Sequence, residues 1–302
     1  MDTQLNDWKY KLVKIYDYVC QKFEQSLSYE CQRFSNNNEP DFTDQEIMTI
    51  YLFVIHHQGI FNKKDIHHYA KDHLISWFPN LNSYQAFNNR LNSLCVVMGR
   101  LVEYMLDEFR PSDCCNQQSL LDSMPIILCS GKRKGKVATE ITDKGYCSTK
   151  GIYYYGVKLH ALGFRRIGSL PHPEQIVISN ASENDLTVYK DNWSELPNRT
   201  FFGDKIYLNE DFFKAIKHNY NSEMLTPVKY SRGSSNTIKK FNKAADELYS
   251  KAVSTIRQPI ESFFNWLIQK SDIQNASKVR STKGLNLHLF GRLAAAFIGL
   301  IF

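Results

Sequence analysis

Three short apolar segments each contain one acidic residue, and this feature most constrains how the chain can fold. Asp122 lies in LLDSMPI, Asp204 in TFFGDKIY and Glu261 in RQPIESFFNWL. An ionised carboxylate without a partner is costly in a low-dielectric environment, so it either finds a cation or becomes neutral. Three such placements indicate that the folded chain gathers the carboxylates around a cation, and their oxygen ligands favour a hard metal ion.

Each segment also has an ordinary structural interpretation. Asp122 is compatible with the end of a strand, or with a half-exposed position on a strand. Asp204 follows Gly203 and fits a simple turn after a strand. If a helix begins at Pro259, Glu261 occupies its third position, where Glu commonly caps backbone N–H groups. No segment is decisive alone, so the three must be weighed together.

Composition predicts a globular, reduced protein. The 302 residues are 43% hydrophobic, which is enough for one large domain with a smaller appendage. The seven Cys form no CxxC pair, and the N-terminal sequence is polar, so we expect a cytoplasmic protein. The C-terminal LFGRLAAAFIGLIF is short and contains Arg292, which predicts a helix packed on the core rather than a membrane anchor.

Positive charge is concentrated in the part of the chain that contains the three carboxylates. Residues 1–110 contain 11 Lys or Arg and 14 Asp or Glu, whereas residues 111–302 contain 26 Lys or Arg and 17 Asp or Glu. Basic residues around an acidic metal site suit a polyanion, and nucleic acid is the natural candidate. The alternative is that a dispersed basic surplus serves only solubility.

Residues 1–110 are predicted to form an all-α unit. Apolar residues recur at helical spacing over 7–34, 43–57, 63–73 and 83–109, and Thr43 with Glu46 forms a capping-box pattern. The helices at 42–57 and 63–73 form a candidate helix-turn-helix for binding DNA ends. The alternative is that they only cover the core, because this part is slightly acidic. The dispersed histidines are expected to be ordinary surface or interhelical residues.

Residues 111–302 are predicted to form an α/β domain. Three runs, QSLLDSMPIIL, GIYYYGVKLHAL and EQIVISNAS, predict the antiparallel start of a mixed sheet. Helices and strands then alternate through the segment that contains Asp204. The loop between the first two strands contains Lys132, Arg133, Lys134 and Lys136. It is placed to contact a DNA backbone, although such a loop is also compatible with plain solvation.

The combination resembles the DDE transposases of bacterial insertion sequences, most closely their 982-type branch. The three acidic residues are separated by 82 and 57 positions. The resemblance to that family covers roughly residues 42–302. It includes the segments DSMPI, DKGYCSTKGIYYYGVKLHAL and GDKIY, and Arg257 four residues before Glu261. The chain departs from the wider family at Ser254 and Ile268, where many relatives have Tyr and Lys, and nearby Lys270 does not complete the match.

The resemblance implies a fold, an activity and a set of site residues. The fold is a ribonuclease-H-like mixed sheet flanked by helices, with an all-α N-terminal unit (1–110) and a catalytic domain (111–302). Asp122, Asp204 and Glu261 are implied to be catalytic and to hold two Mg²⁺ ions, with Mn²⁺ as a substitute. One ion activates the water that attacks the DNA end and the other stabilises the leaving 3′ oxygen; the freed 3′-OH then attacks target DNA.

The same resemblance implies the partners. They are the double-stranded terminal inverted repeats of the element and its target DNA. The residues expected to contact DNA are Lys132, Arg133, Lys134, Lys136, Lys158, His160, Lys205 and Arg257. A homodimer or larger assembly, in the bacterial cytoplasm at the nucleoid, is expected.

Two other functions are compatible with this sequence. One is a DNA-binding protein of the same fold that no longer cuts, against which the three intact carboxylates argue. The other is a nuclease of the same fold without strand transfer. Joining of 3′ ends to a target distinguishes the transposase from that nuclease.

Overall fold

The computed structural model describes residues 2–32, 40–132, 134–230 and 236–302. The chain divides into two compact units. The helical unit contains residues 1–109, 136–140 and 267–302, and the sheet unit contains residues 110–135 and 141–266. The C-terminal residues therefore pack with the N-terminal helices, whereas the sequence analysis assigned them to the domain after residue 110. Arg133 lies outside the described residues.

Every described element between Asp2 and Glu108 is a helix, as predicted. The helical unit contains α1 (Asp2–Lys22), a π-helical turn (Phe23–Leu27), α2 (Ser28–Glu30), α3 (Asp44–Gln58), α4 (Lys63–His73), α5 (Tyr84–Ser93), α6 (Cys95–Glu108), α10 (Thr282–Asn286), a second π-helical turn (Leu287–Gly291) and α11 (Arg292–Ile301). The predicted single helix over 83–109 is wrong, since the chain forms two helices that meet at Leu94.

Helix α3 is the centre of the helical unit. Thr43 Oγ1 accepts the Glu46 N–H while Glu46 Oε2 accepts the Thr43 N–H at 2.6 Å, so the predicted capping box is confirmed. The helix ends at Gly59, whose φ of 65° is the left-handed conformation that favours glycine. Because residues 47–55 are buried on every side, α3 is surrounded by other helices of the unit.

One helical stretch, Thr282–Ile301, is long and apolar enough by composition to cross a membrane, and 72% of it is buried inside the protein. The core helix of a soluble protein gives the same signal. Arg292 within it is buried and donates hydrogen bonds to the carbonyl oxygens of Ser271, Asp272 and Phe61. The predicted packing of this tail as a core helix is confirmed.

The sheet unit is built on one mixed sheet. Its strands are β1 (Cys115–Ser130), β2 (Asp143–Cys147), β3 (Ile152–Arg165), β4 (His172–Asn180), β5 (Thr200–Phe202) and β6 (Glu223–Leu225). Strand β1 pairs antiparallel with β3 on one side and parallel with β5 on the other, and β5 pairs parallel with β6. Strands β2 and β4 follow each other along the outer edge of β3. The predicted mixed sheet is confirmed; β2 was not predicted.

The remaining helices are α7 (Asp185–Asn192), a 3₁₀ turn (Lys205–Tyr207), α8 (Glu210–Tyr220) and α9 (Asn236–Ser271). Helix α9 has 36 residues and contains Pro259 in its interior. The interpretation of Glu261 as an N-terminal cap is therefore wrong, because the helix begins 25 residues earlier. The predicted stripe of Ile260, Phe263, Phe264 and Leu267 is buried, which confirms its role as the apolar face of α9.

A buried ion pair in the helical unit generates the first prediction. Arg90 Nε donates to Asp44 Oδ1 at 2.8 Å and Arg90 Nη2 to the Cys31 carbonyl oxygen at 2.6 Å, and the Asp44 side chain is only 6% exposed. We expect Arg90→Leu to lower the free energy of unfolding by about 3–5 kcal/mol, because it removes the guanidinium that pairs with the buried carboxylate of Asp44.

Arg100→Leu is the matched control, measured by urea denaturation alongside Arg90→Leu. Arg100 also pairs with a carboxylate, that of Glu103, but its side chain is 55% exposed. Its loss should change stability much less than the loss of Arg90 does, because a solvent-exposed ion pair contributes little. Equal costs for the two variants would show that burial of Asp44 does not matter.

Candidate functional site

The pairing of β1 with β5 brings Asp122 and Asp204 to corresponding positions. In this parallel pair Leu120 is opposite Phe202, and each carboxylate follows its own member of that pair by two residues. Adjacent strands are about 4.8 Å apart. Strand β5 ends at Phe202, so Asp204 lies in the turn just beyond the strand end that pairs with Leu120 of β1.

Helix α9 supplies two more charged groups to this face. Arg257 Nη1 donates to Asp122 Oδ2 at 2.8 Å, and Arg257 Nη2 donates to Glu261 Oε1. The guanidinium is 15% exposed, the Asp122 carboxylate 22% and the Glu261 carboxylate 50%. Residues four apart on a helix lie one above the other, so Arg257 connects the strand carboxylate to the helix carboxylate.

Tyr207 is a buried phenol that interacts electrostatically with Asp204 and with other acidic groups. Burial raises the pKa of its phenol far above the usual value, and the carboxylates of Asp185, Asp122 and Asp204 raise it further. The phenol oxygen is buried and has no hydrogen-bond partner among the described residues. Asp204 itself is exposed, and its Oδ1 accepts the Lys205 N–H at 2.5 Å where the 3₁₀ turn begins. The carboxylates of Asp185, Asp122 and Asp204 therefore all act on this one buried phenol.

The electrostatic state of Asp122 reflects its position between strand and helix. Burial raises the pKa of its carboxyl group to about 6, although Arg257 and the Ser123 N–H both act to lower it. The Ser123 N–H donates to Asp122 Oδ1 at 2.8 Å. Both carboxylate oxygens of Asp122 thus have protein partners in this structure.

Sequence analysis missed a charged cluster around one further carboxylate, that of Asp185, on the other face of β1. Asp185 is the first residue of α7 and is buried; its Oδ1 accepts a hydrogen bond from Lys158 Nζ at 2.9 Å and its Oδ2 accepts one from Ser123 Oγ at 3.0 Å. Lys158 and His160 alternate on β3 as predicted, and both point toward Asp185, with His160 Nδ1 4.0 Å from Asp185 Oδ1. The only sequence signal for this cluster was Asp185, the last residue of SEND. An acidic residue at the start of a helix is ordinary, so it did not stand out.

The residues expected to contact DNA occupy different environments. Lys132, Lys134, Lys136 and Lys205 are exposed, and Arg133 lies outside the described residues. Lys158 is instead paired with Asp185 and the Glu183 carbonyl oxygen, and its side chain is 17% exposed. His160 is fully buried, with Nε2 2.8 Å from Ser179 Oγ. Its burial leaves no surface for a phosphate, so we assign His160 no DNA contact.

The predicted metal ligands fit a hard cation by chemistry. Asp122, Asp204 and Glu261 offer only carboxylate oxygens, the donors that Mg²⁺ prefers. Across the described part of the chain, however, no three His, Cys, Asp or Glu side chains form a group that is ready to hold a metal ion. The guanidinium of Arg257 instead donates to one oxygen each of Asp122 and Glu261. This arginine provides the positive charge at the carboxylates in this structure.

Gly203 fixes the approach of the chain to Asp204. A Cβ atom at this position would lie 2.7 Å from Tyr207 Cδ2 and 3.0 Å from Met224 Sδ. Its N–H donates to the Leu225 carbonyl oxygen at 3.1 Å, so the backbone is also held from the β6 side. Only glycine fits here without displacement of the Tyr207 ring.

The second prediction follows from this contact. We expect Gly203→Ala to cost about 1–3 kcal/mol of unfolding free energy, because Tyr207 or Met224 must move. The displaced turn should also reduce any activity that depends on Asp204. Gly99→Ala is the control, since its Cβ would meet Phe290 at an ordinary 3.7 Å, and it should be neutral or slightly stabilising. Thermal unfolding of both variants measures the difference, and an unperturbed Gly203→Ala would contradict the packing argument.

The third prediction concerns pH. Burial lowers the pKa of His160 to about 4, below its ordinary 6.5. The folded state therefore keeps His160 neutral while the unfolded state takes up a proton. This contribution to stability is complete above pH 6.5 and is lost as pH falls toward 4. We expect His160→Gln to reduce the loss of stability between pH 6.5 and 4.5, measured by denaturation at each pH.

His68→Gln provides the control for this experiment. His68 is exposed, so its imidazole is solvated in both the folded and the unfolded state. Its replacement should leave the pH profile unchanged. If His160→Gln also gave the wild-type profile, His160 would not contribute to acid sensitivity.

Comparison with known proteins agrees with this geometry. The profile of a family described as transposase DDE domain matches residues 114–298, which is more than half of the chain. The matched region contains all three predicted carboxylates and every strand of the sheet. Together with the mixed sheet flanked by helices, it confirms the predicted ribonuclease-H-like fold. No curated protein matches the chain.

Proposed function

Because the chain belongs to the family of the transposase DDE domain, we propose that it cleaves the ends of a mobile DNA element and joins the freed 3′-OH strands to target DNA. The observation that supports this proposal is the link between a strand carboxylate and a helix carboxylate, since Asp122 and Glu261 share the guanidinium of Arg257. Asp204 follows β5, the strand that pairs with β1 just before Asp122. These are the three residues that sequence analysis selected.

We assign metal binding to the same carboxylates. Asp122, Asp204 and Glu261 would hold divalent cations, with Mg²⁺ as the expected ion and Mn²⁺ as a substitute. A bound cation there would lower the pKa of an attacking water and would stabilise the leaving oxygen. Arg257 reduces the repulsion between Asp122 on the strand and Glu261 on the helix, so the two carboxylates can share one partner.

DNA is the proposed substrate because the chain belongs to a transposase family and has exposed lysines in its sheet unit. Lys205 follows Asp204 directly and is exposed, and Lys132 and Lys134 are exposed on the loop after β1. Arg257 has two functions in this proposal, as counter-ion to the carboxylates and as a phosphate contact once a cation replaces it. Lys136 and Arg133 belong to the same proposed DNA contact by sequence. Lys158 is paired with Asp185 and supports the strand instead.

The finer assignments are part of the same proposal. The chain is assigned to the 982-type branch, and the DNA that it cleaves is the terminal inverted repeats of its element. It acts as a dimer or larger assembly that pairs two ends, at the bacterial nucleoid. The helix pair α3 and α4 remains the candidate for end recognition. Division of the chain at residue 110 into an end-binding and a catalytic domain also stays a prediction.

The fourth prediction tests the chemistry at Glu261. Glu261→Gln keeps the size of the side chain and removes its charge, so metal ligation should fail while DNA binding persists. We expect cleavage and strand joining in Mg²⁺ to fall by at least about 10²-fold, since metal catalysis is worth several kcal/mol. Asp122→Asn and Asp204→Asn should behave alike. The measurements are end cleavage, joining to a target plasmid and binding of end DNA.

Glu247→Gln is the matched control on the same helix. Glu247 is exposed and lies 3.8 Å from Lys243, away from Arg257. It should retain full activity. Loss of activity in Glu247→Gln, with retention in Glu261→Gln, would move the third ligand along α9. Cleavage without joining by the wild-type protein would instead identify a nuclease, and binding without cleavage would identify an inactive DNA-binding protein.

A further inference from the structure

A polar cavity of about 360 Å³ lies within the helical unit, apart from the carboxylate site. Its walls come from the start of α4, one side of α5 and the chain between α9 and α11. Cavities of roughly 300–1,000 Å³ are typical of sites for small molecules. The cavity is therefore large enough for one nucleotide and too small for a duplex.

The charges that line this cavity are strongly unbalanced. Four cationic side chains, those of Lys63, Lys278, Arg280 and Arg292, face it together with a single carboxylate, that of Asp272. Arg292 Nη1 lies 3.4 Å from Asp272 Oδ2, so this pair is already satisfied. The other three cations leave the cavity positive, and an anion is the ligand that this lining favours.

Lys63 is the best placed of these cations. Its Nζ donates to Asn92 Oδ1 at 2.9 Å, and within the described residues it has no carboxylate partner. Burial lowers the pKa of its ammonium group. A half-buried ammonium that is held by a neutral amide keeps donors available for a phosphate oxygen.

The cavity also presents groups suited to a base. Tyr84 lines it and keeps 37% of its surface exposed. Asn88 accepts hydrogen bonds from Asn92 through both of its oxygens, while its own amide N–H groups have no acceptor in the described chain. An aromatic ring and an amide with free donors line the same cavity as the cations, so the cavity offers partners for both the base and the phosphate of a nucleotide.

We propose that this cavity binds one nucleotide of a single-stranded DNA end, with its phosphate at Lys63, Lys278 and Arg280 and its base against Tyr84 and Asn88. The proposal rests on the proposed function only for the choice of DNA as the source of the nucleotide. The charge and volume of the cavity apply equally to a free nucleotide. A free nucleotide is therefore an outcome of the test.

The experiment measures binding of a fluorescent single-stranded tetranucleotide to the full chain in EDTA, by anisotropy. Lys63→Met should weaken binding by about tenfold, because a charge-assisted contact is lost. It should also reduce the slope of log affinity against log salt by about 0.7, the value for one phosphate contact on a single strand. Tyr84→Leu should weaken binding by about fivefold or more without a change in that slope.

Matched variants separate binding from folding. Lys64→Met removes a neighbouring exposed lysine of α4 that does not line the cavity and should bind as the wild type does. Lys63→Arg keeps the positive charge and should retain most of the affinity. Thermal unfolding of each variant shows whether it is folded. Equal effects of Lys63→Met and Lys64→Met would overturn the proposal.

The remaining arms identify the source of the ligand. The affinity for a blunt duplex should not change in Lys63→Met. If duplex binding weakened as much as tetranucleotide binding does, the proposal that the cavity encloses one nucleotide would be overturned. Binding of dAMP or inorganic phosphate at Lys63 without binding of the tetranucleotide would overturn DNA as the source. Glu261→Gln should bind the tetranucleotide normally, so a failure of the catalytic proposal does not affect this result.

Discussion

The burial of Asp122 on a central strand is the constraint on which the site depends. The strand must pair on both sides, so its side chains cannot turn away from the core, and this carboxylate lies where charge is costly. Arg257 offsets that cost by bonding to Asp122 and Glu261 together. One guanidinium serves both only if α9 is continuous past Pro259, which lies between Arg257 and Glu261 and removes a single backbone donor.

The opposite face of β1 has its own charged cluster. Ser123, the residue after Asp122, points the other way and donates to Asp185, which is also held by Lys158. Strand β1 is therefore fixed by polar contacts on both faces at consecutive residues. Breaking either contact leaves a buried carboxylate with fewer partners, so the position of Asp122 is sensitive to groups that never reach the site. Lys158, selected by sequence for DNA, has this supporting position instead.

The sequence selected the three carboxylates as candidates because each breaks an apolar run, and it predicted the N-terminal helices because helical periodicity persists over many residues. It could not identify what depends on pairing. Strand β5 has three residues, too few to show a period, and its parallel register with β1 is set by tertiary contacts. The electrostatic effect of Asp122 and Asp204 on Tyr207 likewise exists only in the folded chain. Asp185 was hidden because an acidic residue at a helix start is ordinary. Pro259 suggested a helix start, whereas packing of α9 on the sheet overrides that local signal.

Charge read along the chain also misrepresents charge in the folded protein. Residues 1–110 are slightly acidic, which argued against a nucleic-acid surface there. The fold, however, brings residues 267–302 into the same unit, and these contain five Lys or Arg and one Asp. Three of those five, Lys278, Arg280 and Arg292, meet Lys63 at the cavity. A basic site thus arises from two segments that are about 200 residues apart in sequence, one of which is acidic overall. Electrostatic potential depends on distance in space, so only the folded chain reveals where an anion is favoured.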